Sequence, residues 1–170
     1  MLKKDLELLS CATLETCPLF SLKGVKTMAK AIDIYDGDTF DIVVCVNSQL
    51  YHMKTRMFGY DSPEMKPPKS DPNRDSIKAN AILARTKLWT LLTNENTGMS
   101  DKHNIVFPVI IGDFDKYGRL LVSAFSPNVK LEDISGFELE NMDMWFDKTI
   151  NAQMVREGFG YPYYGGTKQH

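Results

Sequence analysis

From Val25 onward apolar residues recur at every second position. Ile32 and Ile34 alternate with Asp33 and Tyr35, and Phe40, Ile42, Val44 and Val46 share one face of a second run. Between them Asp36-Gly37-Asp38 reads as a hairpin turn. A third run over 51–58 turns Met53 and Met57 one way and Lys54 and Arg56 the other, so three antiparallel strands form a meander. After a Pro-rich polar loop the period changes. Ile77, Ala81, Ala84, Leu88 and Leu91 recur at steps of four and three, one face of a helix that Asp75 or Ser76 is placed to cap. A loop over 94–104 precedes a fourth strand over 105–111, where Pro108 suggests an edge or a bulge. The turn Asp115-Lys116-Tyr117-Gly118 leads into a fifth strand over 119–125, and a second helix over 149–157 stops at Gly158.

Five short strands with a helix between the third and fourth are the element order of an α+β, mainly β fold. That fold is a five-stranded Greek-key barrel of the OB type with two or three helices. Residues 1–24, punctuated by Pro18 and Gly24, read as an N-terminal extension, and 25–170 as one domain. A chain of 170 residues suits a single domain of this size.

Charge changes the picture only when it is counted by region. The net charge of -2 excludes a polybasic nucleic-acid binder. Residues 130–147, however, hold one basic and six acidic residues, a net of -5, so the rest of the chain carries +3. That acidic segment also contains Met142, Met144, Trp145 and Phe146, and reads as a loop or short helix inserted after the fifth strand. The first twenty residues lack an apolar run of signal-peptide length, and no stretch is long enough to span a bilayer. Cys11, Cys17 and Cys45 form no zinc spacing and are expected to be free thiols. The expectation is a soluble, intracellular monomer without membrane association.

Two acidic clusters carry candidate chemistry: Asp36 and Asp38 in Asp-Gly-Asp-Thr, and Asp61 and Glu64 in Asp-Ser-Pro-Glu. Oxygen-only donors suit a hard cation such as Ca²⁺, and turns after strands one and three can converge at one end of a meander. Turn chemistry by itself also favours Asp, Gly, Ser and Pro. Arg56 and Arg119 stand close to these motifs, and guanidinium groups bind phosphate oxygens in bidentate fashion. His52 and His103 are isolated and read as surface or half-buried. Gly158-x-Gly160 follows a helix rather than opening one, so it is no dinucleotide fingerprint.

Taken together and in order, these pieces resemble the staphylococcal nuclease (thermonuclease-like) family over about residues 27–165. The matching stretches are Asp36-Gly37-Asp38-Thr39, Arg56 with Asp61-Ser62-Pro63-Glu64, Asp115-Lys116-Tyr117-Gly118-Arg119, and 151–158. The resemblance implies an OB barrel that hydrolyses phosphodiester bonds of DNA or RNA with Ca²⁺. By the same match Asp38, Asp61 and the backbone carbonyl of Ser62 hold the metal, and Glu64 orients or deprotonates the attacking water. Arg56 and Arg119 hold the phosphate through its transition state. Asp36 and Thr39 support the metal carboxylates from the same turn, Lys116 and Tyr117 contact an adjacent phosphate, and Tyr164 stacks on a base. The chain departs from the family in carrying Ser62 for its usual Thr, Gly166 at one of the C-terminal tyrosine places, and the acidic insertion. The other function expected of such a barrel is a catalytically inactive module that binds nucleic acid or protein.

Overall fold

In a computed structural model, residues 2–17, 19–94 and 99–165 are described. Pro18, Gly166 and part of the 94–104 loop lie outside the described residues. Five strands close a barrel: β1 (Lys26–Ile34), β2 (Thr39–Val46), β3 (Gln49–Met57), β5 (Phe107–Phe114) and β6 (Leu120–Ala124). Their order around it is β1-β2-β3-β6-β5, with β5 returning to β1. All pairs are antiparallel except β3 and β6, where Thr55 sits opposite Leu120 and Met57 opposite Val122. That single parallel pair and the closed order make this an α+β barrel of the OB type.

The two-residue strand β4 (Tyr60–Asp61) stands outside the barrel and pairs with β7 (Tyr161–Pro162) near the C-terminus. Helix α1 (Leu2–Ser10) precedes the barrel, α2 (Arg74–Thr93) follows β4, and α3 (Ile150–Arg156) follows β6. Among the described residues no helix is long and apolar enough to cross a membrane.

The barrel interior is filled from alternate positions, with Phe40, Ile42 and Val44 from β2 meeting Phe107, Val109 and Ile111 from β5. β1 breaks strict alternation. Its register against β2 shifts between Ala31 and Asp33, so Ala29, Ala31 and Ile34 are buried while Ile32 is only half-buried. Pro108 marks no edge. It lies buried opposite Met28 in a closed wall, and the β5 irregularity falls between Ile111 and Phe114. Helix α2 packs Ala81, Ala84, Leu88 and Leu92 inward, with Leu91 at the flank. It begins one residue before Asp75, and its N-cap is Asn73, which makes no side-chain cap bond. Thr149 does cap α3, its side chain accepting from Ala152 N at 3.1 Å.

The extension joins the barrel earlier than its turn residues suggest. Leu22 is buried in the core, and Gly24 N donates to Ile111 O at 2.7 Å. Of the two readings of the acidic segment, loop or short helix, the structure has the second. The segment forms three 3-10 turns, Leu131–Ile134, Leu139–Met144 and Phe146–Lys148, around a second core of Ile134 and Trp145 set on Ile110 and Phe125 of the barrel wall. Its acidic residues face out, and Lys26 Nζ ties it down through Ser135 O at 2.8 Å and Glu138 Oε1 at 2.7 Å.

Candidate functional site

The β1–β2 turn is built to bring carboxylates inward. Asp36 Oδ1 accepts from the backbone N of Asp38 at 3.1 Å and of Thr39 at 2.8 Å, closing an Asx-type turn. Gly37 is required by close approach: a Cβ there would lie 2.7 Å from the Cβ atoms of both Ala84 and Ser62. The carbonyl of Gly37 accepts from the buried Tyr60 Oη at 2.6 Å. Helix α2 and strand β4 thus clamp the turn, and Asp38 is held at 3% exposure.

Asp38 and Asp61 converge on one guanidinium. Arg56 Nη1 donates to Asp38 Oδ1 at 2.8 Å, while Nη2 donates to Asp61 Oδ1 and, at 3.3 Å, to Tyr60 O. The second oxygen of Asp38 accepts from Ser62 N at 2.8 Å. Asp61 is 1% exposed and Ser62 is buried beside it. Burial, and next the negative charge of Asp38, push the Asp36 carboxyl up to about 6, against the backbone N–H groups that favour its anion. Burial first, then Asp38 and Asp36, also raise the Tyr60 phenol well above its ordinary range.

The second arginine precedes β6, the strand that pairs with β3 beside Arg56. In the turn between β5 and β6, Asp115 Oδ1 accepts from the backbone N of Tyr117 and of Arg119, both at 2.9 Å. Asp115 Oδ2 takes Arg119 Nε at 2.8 Å, which aims the guanidinium. Burial pushes the Asp115 carboxyl up, but the Arg119 and Tyr117 bonds outweigh it and hold the group below its usual range. Arg119 Nη1 then reaches Thr39 Oγ1 at 3.1 Å, and that hydroxyl donates to Asp38 Oδ1 at 2.9 Å. Tyr117 lies against the same guanidinium, 5.4 Å from ring centroid to Arg119 Cζ.

Arg56, Asp61, Lys116, Tyr117, Arg119 and Tyr164 all line one open groove of about 780 Å³. Asp36, Asp38, Thr39 and Ser62 support it through the bonds above. Glu64 is exposed on the loop after β4 and is not part of that lining. His52 is exposed and paired with Asp41 at 2.7 Å, while His103 is buried, with Nε2 on Ala31 O at 2.8 Å. The three cysteines are free and exposed.

Asp38, Asp61 and the Ser62 carbonyl are an all-oxygen donor set of the kind a hard cation takes, and three buried or half-buried carboxylates stand against one guanidinium. Among the described residues no group of three or more His, Cys, Asp or Glu side chains converges to hold a metal. A cation on Asp38 and Asp61 would therefore fill its shell from the Ser62 carbonyl and water, as Ca²⁺ commonly does.

Four residues matter here that composition and spacing did not single out: Asp115, Tyr60, Phe58 and Asn151. Asp115 was legible as a turn residue but not as the partner that aims Arg119. Asn151 is fully buried. Its Nδ2 donates to Phe58 O and Val122 O, both at 2.9 Å, and its Oδ1 accepts from Ala124 N at 2.9 Å. No protein-family model matches the chain, and no curated protein matches it in sequence.

Proposed function

We propose that the chain is a Ca²⁺-dependent nuclease that hydrolyses phosphodiester bonds of DNA or RNA within a strand. The carrying observation is that two guanidinium groups, Arg56 on β3 and Arg119 at the head of the neighbouring β6, converge on one carboxylate turn at the wall of an open groove. The resemblance to the staphylococcal nuclease family supports the same reading.

In this reading Asp38, Asp61 and the Ser62 carbonyl hold the cation, which when bound supplies Lewis-acid neutralisation of phosphate charge. Arg119, fixed by Asp115, binds a non-bridging phosphate oxygen and keeps its charge as the pentacovalent state forms. Arg56 turns from Asp61 toward the phosphate and serves the second oxygen. Glu64, on the exposed loop, takes a proton from water. The water oxygen forms the new P–O bond, the bond to the departing oxygen breaks, and solvent protonates the departing group. Lys116 and Tyr117 engage the neighbouring phosphate, and Tyr164 offers a ring to a base.

A binding module without catalysis is the second reading, favoured by one observation: Glu64 stands outside the groove lining. Strand affinity that is equal with and without Ca²⁺, together with no cleavage, would select it. Ca²⁺-stimulated cleavage by the purified full chain selects the nuclease.

A further inference from the structure

The acidic segment reaches the groove through a run of aromatic rings. Trp145 anchors one end: its ring stacks on Phe137 at 5.6 Å with planes 1° apart, and Nε1 donates to Glu138 O at 2.9 Å. The next residue, Phe146, packs on the same core, 6.5 Å from the Trp145 ring, and also meets Phe58, 6.1 Å away and edge-on at 89°. Phe58 in turn lies 6.0 Å from Tyr164. Gly59 leaves the room for both outer rings. A Cβ there would fall 2.8 Å from Phe146 Cζ and 3.4 Å from Tyr164 Cε1. The backbone completes the bracket, since Tyr163 N donates to Gly59 O at 3.0 Å and Asp61 pairs with Tyr161.

Phe58, Gly59 and Tyr164 all line the groove that holds Arg56 and Arg119. Tyr164 is 70% exposed, so most of its ring remains open to a ligand. An exposed ring loses rotamer freedom when a ligand stacks on it, and a ring already buttressed loses less. Edge-to-face packing from Phe58, itself backed by Phe146, supplies that buttress.

We infer that Phe146 is a positioning residue for substrate binding: carried by the 130–147 segment, it holds Phe58 and Tyr164 as the wall on which an unpaired nucleobase stacks. The inference rests on the nucleic-acid reading above and deepens it. It assigns the groove to strands with accessible bases and gives the acidic segment a part in affinity.

The test is binding of a short fluorescent oligothymidylate to the full chain, read by anisotropy in chelator so that nothing is cut. Phe146→Ala and Tyr164→Ala are each expected to weaken binding about tenfold, and the double variant no further than either alone. Phe146→Leu, which keeps most of the apolar volume, carries the test if the alanine variant melts early; its expected loss is about threefold. A base-free strand of the same length should bind wild type and variants alike, which a general loss of structure would not allow. Unchanged binding by the Phe146 variants, losses that multiply, equal losses on the base-free strand, or no binding by wild type would each overturn the inference. Cleavage in Ca²⁺, measured separately, judges the nuclease reading. A wild type that cuts while its Phe146 variants bind normally sinks only the positioning role.

Discussion

Arg119 donates to Thr39 Oγ1 at 3.1 Å over the strand that carries Arg56, and through that hydroxyl it is joined to Asp38, which Arg56 already holds. The two arginines therefore share one carboxylate but differ in what surrounds them. Arg56 sits between two buried acids, whereas Arg119 pairs with Asp115 at the groove wall.

That difference predicts separable defects. Arg119→Ala should lose about 10²–10³ in cleavage rate while its melting temperature stays near wild type. Arg56→Ala should lose comparable rate and also about 3–5 kcal/mol of stability, because it leaves buried Asp38 and Asp61 without their shared counter-charge. Added Ca²⁺ should restore part of that stability. Denaturant titration beside single-turnover cleavage separates the two effects.

Gly37→Ala tests the clamp on the carboxylate turn. Its new methyl would meet the Cβ atoms of Ala84 and Ser62 at 2.7 Å, and neither can swing aside. A loss of about 1–3 kcal/mol is expected, partly recovered by adding Ala84→Gly. A melting curve unchanged by Gly37→Ala would show that α2 does not pack on the turn as described.

Asn151→Ala removes three hydrogen bonds at once, taking the acceptor from Ala124 N and a donor from Phe58 O, while Val122 O keeps the bond from Phe58 N. With each unsatisfied buried group costing about 1–3 kcal/mol, a loss of at least about 2 kcal/mol is expected in chemical denaturation. Amide exchange should rise first around Ala124, whose N–H loses its acceptor.

One ion pair gives a pH signature. Lys87 Nζ lies 2.6 Å from Glu157, joining α2 to α3, and its hydrogen bond, aided by one from Gln153, holds the Glu157 carboxyl below its ordinary 4.5. An acid depressed in the folded state adds stability above its unfolded value, and that stability is lost as pH falls through the folded value. Both side chains are partly exposed, so the contribution is about 0.5 kcal/mol. Lys87→Ala should lower stability by that amount at neutral pH and converge with wild type as acid takes the pH from 4.5 down through the lowered folded value. Parallel stability curves through that range would contradict the assignment.

Most of the barrel was legible in the residues because alternation in Phe40, Ile42 and Val44 is the direct signature of a strand with one buried face. What escaped depended on contacts between distant segments. The shift after Ala31 replaces Ile32 by Ala29 and Ala31 as inward positions, and nothing local to the strand announces it. The 130–147 segment reads only as an acidic loop or short helix, and the core that Trp145, Phe137 and Ile134 find on Ile110 and Phe125 is a contact with distant residues. At the site, the Asp-Gly-Asp and Asp-Ser-Pro turns were visible. The convergence of Asp38 and Asp61 on Arg56 requires the fold, as does the role of Asp115.

The most direct test compares wild type with Arg119→Ala on a labelled single strand, with Ca²⁺ and with chelator. Wild type should cut internal bonds only when Ca²⁺ is present, and Arg119→Ala should retain about a hundredth or less of that rate. Folded wild-type protein that binds the strand but leaves it whole in Ca²⁺ would contradict the nuclease account.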